Sequence, residues 1–388
     1  MPEEVRPQAD DRPPDSGGRG GRGRRWGARI LVVAALGLAS VAATTLATGC
    51  SPGYVLRAGW EEAKILNGRR SLPEVILDPA TDAETRAKLT LAYEAREFAR
   101  DSLLLDVGDS YTTYTKLDRD TLAMVLSAAK PDSLAPVTWW FPIVGHVPYR
   151  GFFDLAEAER EQVKLEARGF DTYLRPTAAF STLGWFSDPL LSTIVRYDEV
   201  ELVATIMHEL SHNHLFVAGQ VRFNESFATW VGRSAAIAFF CSPAGGGPES
   251  ALCAQARDRW EDMMLYSRYI DGLVAELEEH YADESATTEA KIAGRDEVFL
   301  RHREHFRREI RPRLRSLTFA RYGEEPPNNA ILLSRMRYYH RLPDFDRHLA
   351  LHGGSLPRAL ATFEAAADAL DDLFEVLPAS ELPAGRCP

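Results

Sequence analysis

The sequence predicts an α+β protein, mainly helical, with a small sheet beside one particular helix. Three observations carry this. Long stretches nearly free of proline and glycine place apolar residues at helical spacing, as in 82–107, 154–168, 198–217 and 248–280. Stretches rich in β-branched and aromatic residues are short and gather between 137 and 183. The 198–217 run carries paired histidines and is followed at once by a second apolar run, 222–240.

The chain opens on a polar stretch, 1–29, rich in Pro, Gly, Asp and Arg, with no apolar period. It is expected to be disordered. Residues 30–48 are apolar and uncharged, but Gly37, Ser40 and three threonines make them a weak membrane span. Leu46-Ala47-Thr48-Gly49-Cys50 resembles a bacterial lipobox, with small residues directly before a lipid-accepting cysteine. Ala47 departs from the usual leucine. Residues 1–49 are thus expected to be a signal or lipoprotein leader, and 50–388 an extracytoplasmic domain. The domain would be membrane-anchored through a lipid on Cys50. The alternative is a single uncleaved N-terminal transmembrane anchor.

The next helices are expected over 54–70, ended by Ser71-Leu72-Pro73, and over 82–107 with Leu89, Tyr93 and Phe98 inward. Thr121 to Ala129 reads as a shorter helix. Val137 to Val144 is the best strand candidate, His146 to Phe153 a turn with Pro148 and Gly151, and 154–168 a helix. Thr172 to Leu174 and Ala178 to Leu183 read as short strands. Trp185, Phe186 and Leu190 stand next to them as pocket walls, or as parts of a core hairpin. Beyond the glycines at 245–247 the chain reads as helical, over 248–280, 285–311, 328–340 and 356–377. Arginines crowd the end of the 285–311 run but interleave with Glu304 and Glu309, as on a solvated face.

The chemistry concentrates in His208-Glu209-Leu210-Ser211-His212 and Asn224-Glu225-Ser226-Phe227-Ala228. Four residues make about 400° of helix, so both imidazoles leave one face about a turn apart and can grip one ion. Asp198 can cap the helix start and Gly219 marks its end. Glu225 comes 13 residues after His212, on a helix whose Glu225, Ala228, Gly232 and Ala235 share a face. Small residues there allow close approach. His208, His212 and Glu225 are therefore the candidate ligands of one Zn2+ per chain, with a fourth position open. Glu209, about 100° around from His208, can reach a water at that ion as general base. His214, two residues past His212, faces away.

Net charge is −11 over 388 residues. Residues 1–49 hold 7 Arg against 5 Asp and Glu, so 50–388 carries −13. This acidic balance argues against a nucleic-acid partner. Four cysteines make no disulfide scaffold in a chain of this size. Cys241 and Cys253 bracket a Pro/Gly-rich loop and can form a disulfide in an oxidising compartment, or remain two thiols. Cys387 is expected free on the tail.

The chain resembles a family of bacterial aminopeptidases, predicted zinc-dependent and membrane-anchored as lipoproteins. The resemblance rests on G-C-S-P-G-Y at 49–54, T-W-W-F-P-I-V-G-H-V-P-Y-R-G-F-F at 138–153 and A-F-S-T-L-G-W-F-S-D-P at 179–189. It continues through H-E-L-S-H, F-N-E-S-F-A and N-N-A at 328–330, from about residue 45 to about 350. It implies the ligands His208, His212 and Glu225 and the base Glu209. His146 stands where the family commonly has Cys, so no role of that Cys carries over.

The fold implied is zincin-like, a sheet edge lying beside the metal helix where substrate backbone can pair with it. Related zincins supply an oxyanion donor from a downstream helix, and Tyr338, Tyr339 and His340 are the candidates here. Thermolysin-like enzymes place an Asp four residues after the ligand Glu. Here that position is Thr229, so another group must orient the histidine. The reading is a zinc metallopeptidase, by resemblance an aminopeptidase, acting on peptide substrates. Two alternatives stay open: a zinc endopeptidase or envelope-remodelling hydrolase on the same site, and a non-catalytic zinc-binding lipoprotein acting in binding or assembly. An intact Glu209 speaks against the last.

Overall fold

A computed structural model describes residues 52–141, 145–177, 187–319 and 327–380. The leader with Cys50, the strand expected at 178–183, Trp185, Phe186 and Cys387 lie outside the described residues. Chain contacts group into Met1–Arg57 and Ala58–Pro388. The site described below lies wholly in the second unit.

The helices are α1 Pro52–Asn67, α2 Leu72–Leu77, α3 Ala83–Asp101, α4 Leu155–Ala167, α5 Ser192–Val195, α6 Glu199–His214, α7 Val221–Phe240, α8 Ala251–Tyr281, α9 Thr288–His305, α10 Asn329–Tyr339, α11 Leu342–Leu351 and α12 Leu356–Ala366. The strands are β1 Arg70–Ser71, β2 Thr113–Thr115, β3 Ala123–Ala129, β4 Trp139–Phe141, β5 Gly145–Val147, β6 Arg150–Phe152, β7 Asp171–Thr177 and β8 Leu190–Leu191. Among the described residues these form three small sheets, ordered β1-β2-β8, β6-β3-β7 and β4-β5. The protein is therefore α+β and mainly helical. No helix among the described residues is long and apolar enough to cross a membrane.

Most helix starts follow their sequence signals. Asp82, Asp154, Asp198, Ser250, Thr287 and Asn328 each accept a backbone N–H of the first turn. Three expectations fail. Thr121 to Ala129 is not a helix: Ala123–Ala129 forms the central strand β3, paired with β7 from Ala123↔Thr177 to Ala129↔Asp171 and with β6 on its other side. Alanine, methionine and leucine favour helix locally, but pairing on both sides and burial of Leu126, Ala128 and Ala129 override that preference. His146 to Phe153 is not a plain turn but carries β5 and β6. Leu72-Pro73 does not break structure but starts α2, proline being well placed in a first turn. The same holds for Pro343, which opens the unforeseen helix α11. The 356–377 stretch is shorter as a helix, ending at Ala366 before a 3-10 turn, Leu373–Val376.

Helices α6 and α7 form the centre, flanked by α3 and α8. Under α7, Phe223, Phe227, Trp230, Phe345 and Phe363 stack with ring centroids 5.2–6.5 Å apart and almost no exposure. Cys241 and Cys253 are disulfide-bonded and tie the end of α7 to the start of α8. A second core gathers Tyr266, Ile270 and Leu273 of α8 with Phe299, Phe306 and Met336. Helix α10 packs on β3 and β7, and so links the sheet to the central helix pair.

Candidate metal centre

Helix α6 buries Val200, Val203, Ile206, Met207 and Leu210. Its start is held twice. Asp198 accepts both ends of the Arg259 fork at 2.8 Å, and Glu201 does the same for Arg233 of α7. Burial would raise the Glu201 carboxyl, but Arg233 and Arg259 hold it below the usual range.

Helix α7 meets α6 closely at Gly232. A Cβ there would fall 2.6 Å from the Ala204 carbonyl oxygen and 3.0 Å from His208 Cβ, so only glycine permits this approach. The residues on both sides of Glu225 are pinned. Asn224 donates to the Val217 carbonyl at 2.7 Å and accepts from the Val217 N–H at 3.0 Å, which closes the α6–α7 turn. Ser226 Oγ donates to the Arg337 carbonyl at 2.9 Å, fastening α7 to α10.

Three donor atoms converge as a result. His208 Nε2 lies 3.5 Å and His212 Nε2 4.0 Å from Glu225 Oε2. All three ligand atoms fall within 4.8 Å of one another, so this group could hold a metal ion. A tetrahedral ion with bonds of about 2.0–2.1 Å spaces its ligands roughly 3.4 Å apart. The observed separations fit with little adjustment.

Electrostatics divide the cluster. Burial would raise the Glu225 carboxyl, but the His208 imidazole close by and the charges of His212 and Arg337 bring it down to about 2. Burial lowers His212 to about 4. Burial also acts to lower His208, yet Glu225 and Glu209 outweigh it and raise it. Burial pushes the Glu209 carboxyl up to about 7; His208 opposes this, and the charges of Glu225 and Asp188 add to it. A carboxyl poised near neutral pH beside two imidazoles can both take and return a proton.

Of the three downstream candidates, one reaches the site. The Tyr338 ring stacks on the His208 ring at 6.2 Å, with 30° between planes. Tyr339 does not: it packs edge-on against Tyr266 at 4.9 Å within the second core. An α-helix sends adjacent residues about 100° apart, so the two tyrosines cannot share a direction. His340 turns to Asp271 at 2.7 Å. His214 also faces away, accepting the Asp106 N–H at 3.2 Å. Leu190 is fully buried in the core. Thr229 is buried, and His212 Nδ1 has no hydrogen-bond partner among the described residues. Among the described residues no group orients it through that nitrogen.

Arg175 and Arg337 stand beside the cluster with no motif to announce them, and Tyr149 joins them from the 138–153 block. Arg175 of β7 donates to Tyr338 Oη at 3.3 Å. Arg337 of α10 donates to the Pro148 carbonyl at 3.1 Å and to Ser127 Oγ at 2.9 Å, with its guanidinium over the Tyr149 ring at 4.9 Å. Burial raises the Tyr149 hydroxyl, with the charge of Glu225 adding to it. Arg175 sits before a proline in a short strand, and nothing in its neighbours signals a site.

The fold and the site together define a mainly helical α+β protein whose His208, His212 and Glu225 could hold a metal ion beside the half-buried Glu209. The chain belongs to the family described as "Putative aminopeptidase", whose model matches residues 53–376. That membership supports a peptidase. No curated protein and no solved structure matches the chain.

Proposed function

We propose that the protein is a zinc-dependent peptidase, and by its family an aminopeptidase. The observation that carries this is the meeting of His208, His212 and Glu225 around one point with Glu209 alongside. Two imidazoles and one carboxylate form a donor set suited to Zn2+, and three protein ligands are the number found in catalytic sites. A bound Zn2+ would supply Lewis acidity, polarising the substrate carbonyl and bringing the pKa of a water down to about 7.

The chain's own residues do the rest. Glu209 accepts the proton of the attacking water as the new C–O bond forms at the scissile carbonyl. It returns that proton to the amine nitrogen as the C–N bond breaks. Tyr338 Oη donates a hydrogen bond to the oxyanion. The same reading takes the fold as zincin-like. It places residues 50–388 outside the cytoplasm, held at a membrane by a lipid on Cys50. The lipobox-like sequence supports that location, and so does the Cys241–Cys253 disulfide, which persists in oxidising compartments.

The test is an assay of the full-length protein against a peptide library, with metal content measured alongside. The expected result is release of N-terminal residues that stops with chelator and returns with zinc. A protein that binds no zinc and cleaves no peptide would sink the proposal.

A further inference from the structure

The peptidase reading leaves one group without a part. Arg175 is a largely buried cation at the edge of the site. Three other largely buried arginines meet carboxylates: Arg233 meets Glu201 at 2.8 Å, Arg259 meets Asp198 at 2.8 Å, and Arg295 meets Asp171 at 2.7 Å, whereas Arg337 is bonded to a carbonyl and a hydroxyl. Among the described residues Arg175 meets no carboxylate. Its partner is the Tyr338 hydroxyl, 3.3 Å from Nη2, and its guanidinium lies 5.7 Å from the Tyr338 ring centre.

The chemistry of that contact is one-sided. A guanidinium has five donors and no acceptor, while a phenol has one proton and an oxygen that accepts. Tyr338 Oη must therefore be the acceptor, and its single proton must point to something other than Arg175. The Tyr338 ring also stacks on the His208 ring. Arg337, the residue before Tyr338, is fixed to Pro148 and Ser127, so the backbone cannot swing the ring away. The ring is thus held in place, with Arg175 donating to the hydroxyl oxygen and the phenol proton left for another acceptor.

Resting on the peptidase reading, we propose that Arg175 is a positioning residue. It occupies the acceptor side of the Tyr338 hydroxyl so that the phenol proton is presented to the oxyanion at the scissile carbonyl. The rival for the same cation is direct recognition of a substrate's C-terminal carboxylate. The two differ in what they predict.

The experiment compares Arg175→Met, Arg175→Lys, Tyr338→Phe and the Arg175→Met/Tyr338→Phe double variant of the full-length protein. The first measurement needs no turnover. With tyrosine labelled with 13C at the ring carbon bearing oxygen, the signal missing from Tyr338→Phe is that of Tyr338. It should move in Arg175→Met and return toward its original position in Arg175→Lys, while the other tyrosine signals stay and report an intact fold. A Tyr338 signal unmoved by Arg175→Met overturns the proposal.

The second measurement is kinetic. Tyr338→Phe should lower kcat by about 10²–10³-fold, as loss of one oxyanion donor does. Arg175→Met should lower kcat by up to about 10²-fold, the size of effect that misplacing a group by about 1 Å produces. The double variant should be no worse than Tyr338→Phe alone, because Arg175 acts through that hydroxyl. Losses that multiply, or a loss confined to KM that disappears on amidated peptides, would assign Arg175 to the substrate carboxylate and overturn the proposal. A wild type with no chelator-sensitive hydrolysis overturns the peptidase reading instead, an outcome distinct from either of these.

Discussion

Two histidine–carboxylate arrangements in this molecule, one buried and one partly so, use the same residue types and reach opposite ends. His340 Nδ1 lies 2.7 Å from Asp271 Oδ1, and the other oxygen of Asp271 accepts from the Arg341 N–H at 3.1 Å and Ser267 Oγ at 3.4 Å. That pair has closed on itself and ties α8 to the chain after α10. His208 and His212 approach Glu225 only to 3.5 and 4.0 Å, outside the usual hydrogen-bond range of about 2.7–3.2 Å. Helix spacing keeps their donor atoms apart, all facing one centre. The difference lies in geometry rather than composition. Buried polar groups whose bonding capacity is used up hold structure together, and groups held just short of each other form a receptor for something between them.

The strongest way to break this comparison is to delete one member of each arrangement. His212→Ala should abolish metal uptake and peptide hydrolysis together, because two remaining ligands no longer enclose an ion. Metal content after dialysis, and the shift of the unfolding transition with added zinc, measure it. His340→Ala should leave both unchanged. Equal metal content in wild type and His212→Ala would show that the open cluster is not the receptor.

Next in size is Glu209→Gln, which keeps shape and hydrogen bonding but cannot take a proton. Zinc should remain bound while kcat falls by about 10²–10⁴-fold, the range a general base supplies. Full activity with metal bound would remove Glu209 from the mechanism.

The contrast between the two arrangements was half legible in the sequence. The 208/212 spacing fixes both imidazoles on one helix face whatever surrounds them, so that side of the centre could be read directly. So could the short return to Glu225, because Gly232 and its small neighbours mark a close helix crossing. Arg175 and Asp271 could not be read, since they meet their partners across 163 and 69 residues and no local pattern encodes such pairing. The same blindness hid β3. Its residues favour helix by themselves, and pairing with β6 and with β7, about 48 residues further on, makes them a strand. Tyr338 stood among three adjacent candidates, and the register of α10 against the sheet chose between them.

A smaller effect sharpens the closed side. His340→Ala leaves Asp271 buried without its imidazole partner and should cost about 1–3 kcal/mol of stability, more if the carboxylate stays charged. Denaturant titration measures it as a lower midpoint with unchanged slope. A loss of metal uptake in that variant would mean the two arrangements are coupled.

The smallest effect belongs to a third pairing, on the same helix as His208 and His212. His214 Nε2 lies 3.1 Å from Glu364 Oε1 of α12, and the Glu364 side chain is 46% exposed. It is neither closed and buried nor held open around a centre. A pair in contact with water gains little, because solvent screens the attraction and ordering two side chains costs entropy. Glu364→Gln should therefore change stability by no more than about 1 kcal/mol. The change should shrink further as salt is raised and the screening length falls from about 10 Å at 0.1 M to about 3 Å at 1 M. Zinc uptake should not move, because His214 is turned roughly 200° from His212 around α6. Loss of zinc in Glu364→Gln would place the third histidine in the metal site, and the division drawn here between open, closed and exposed pairings would fail.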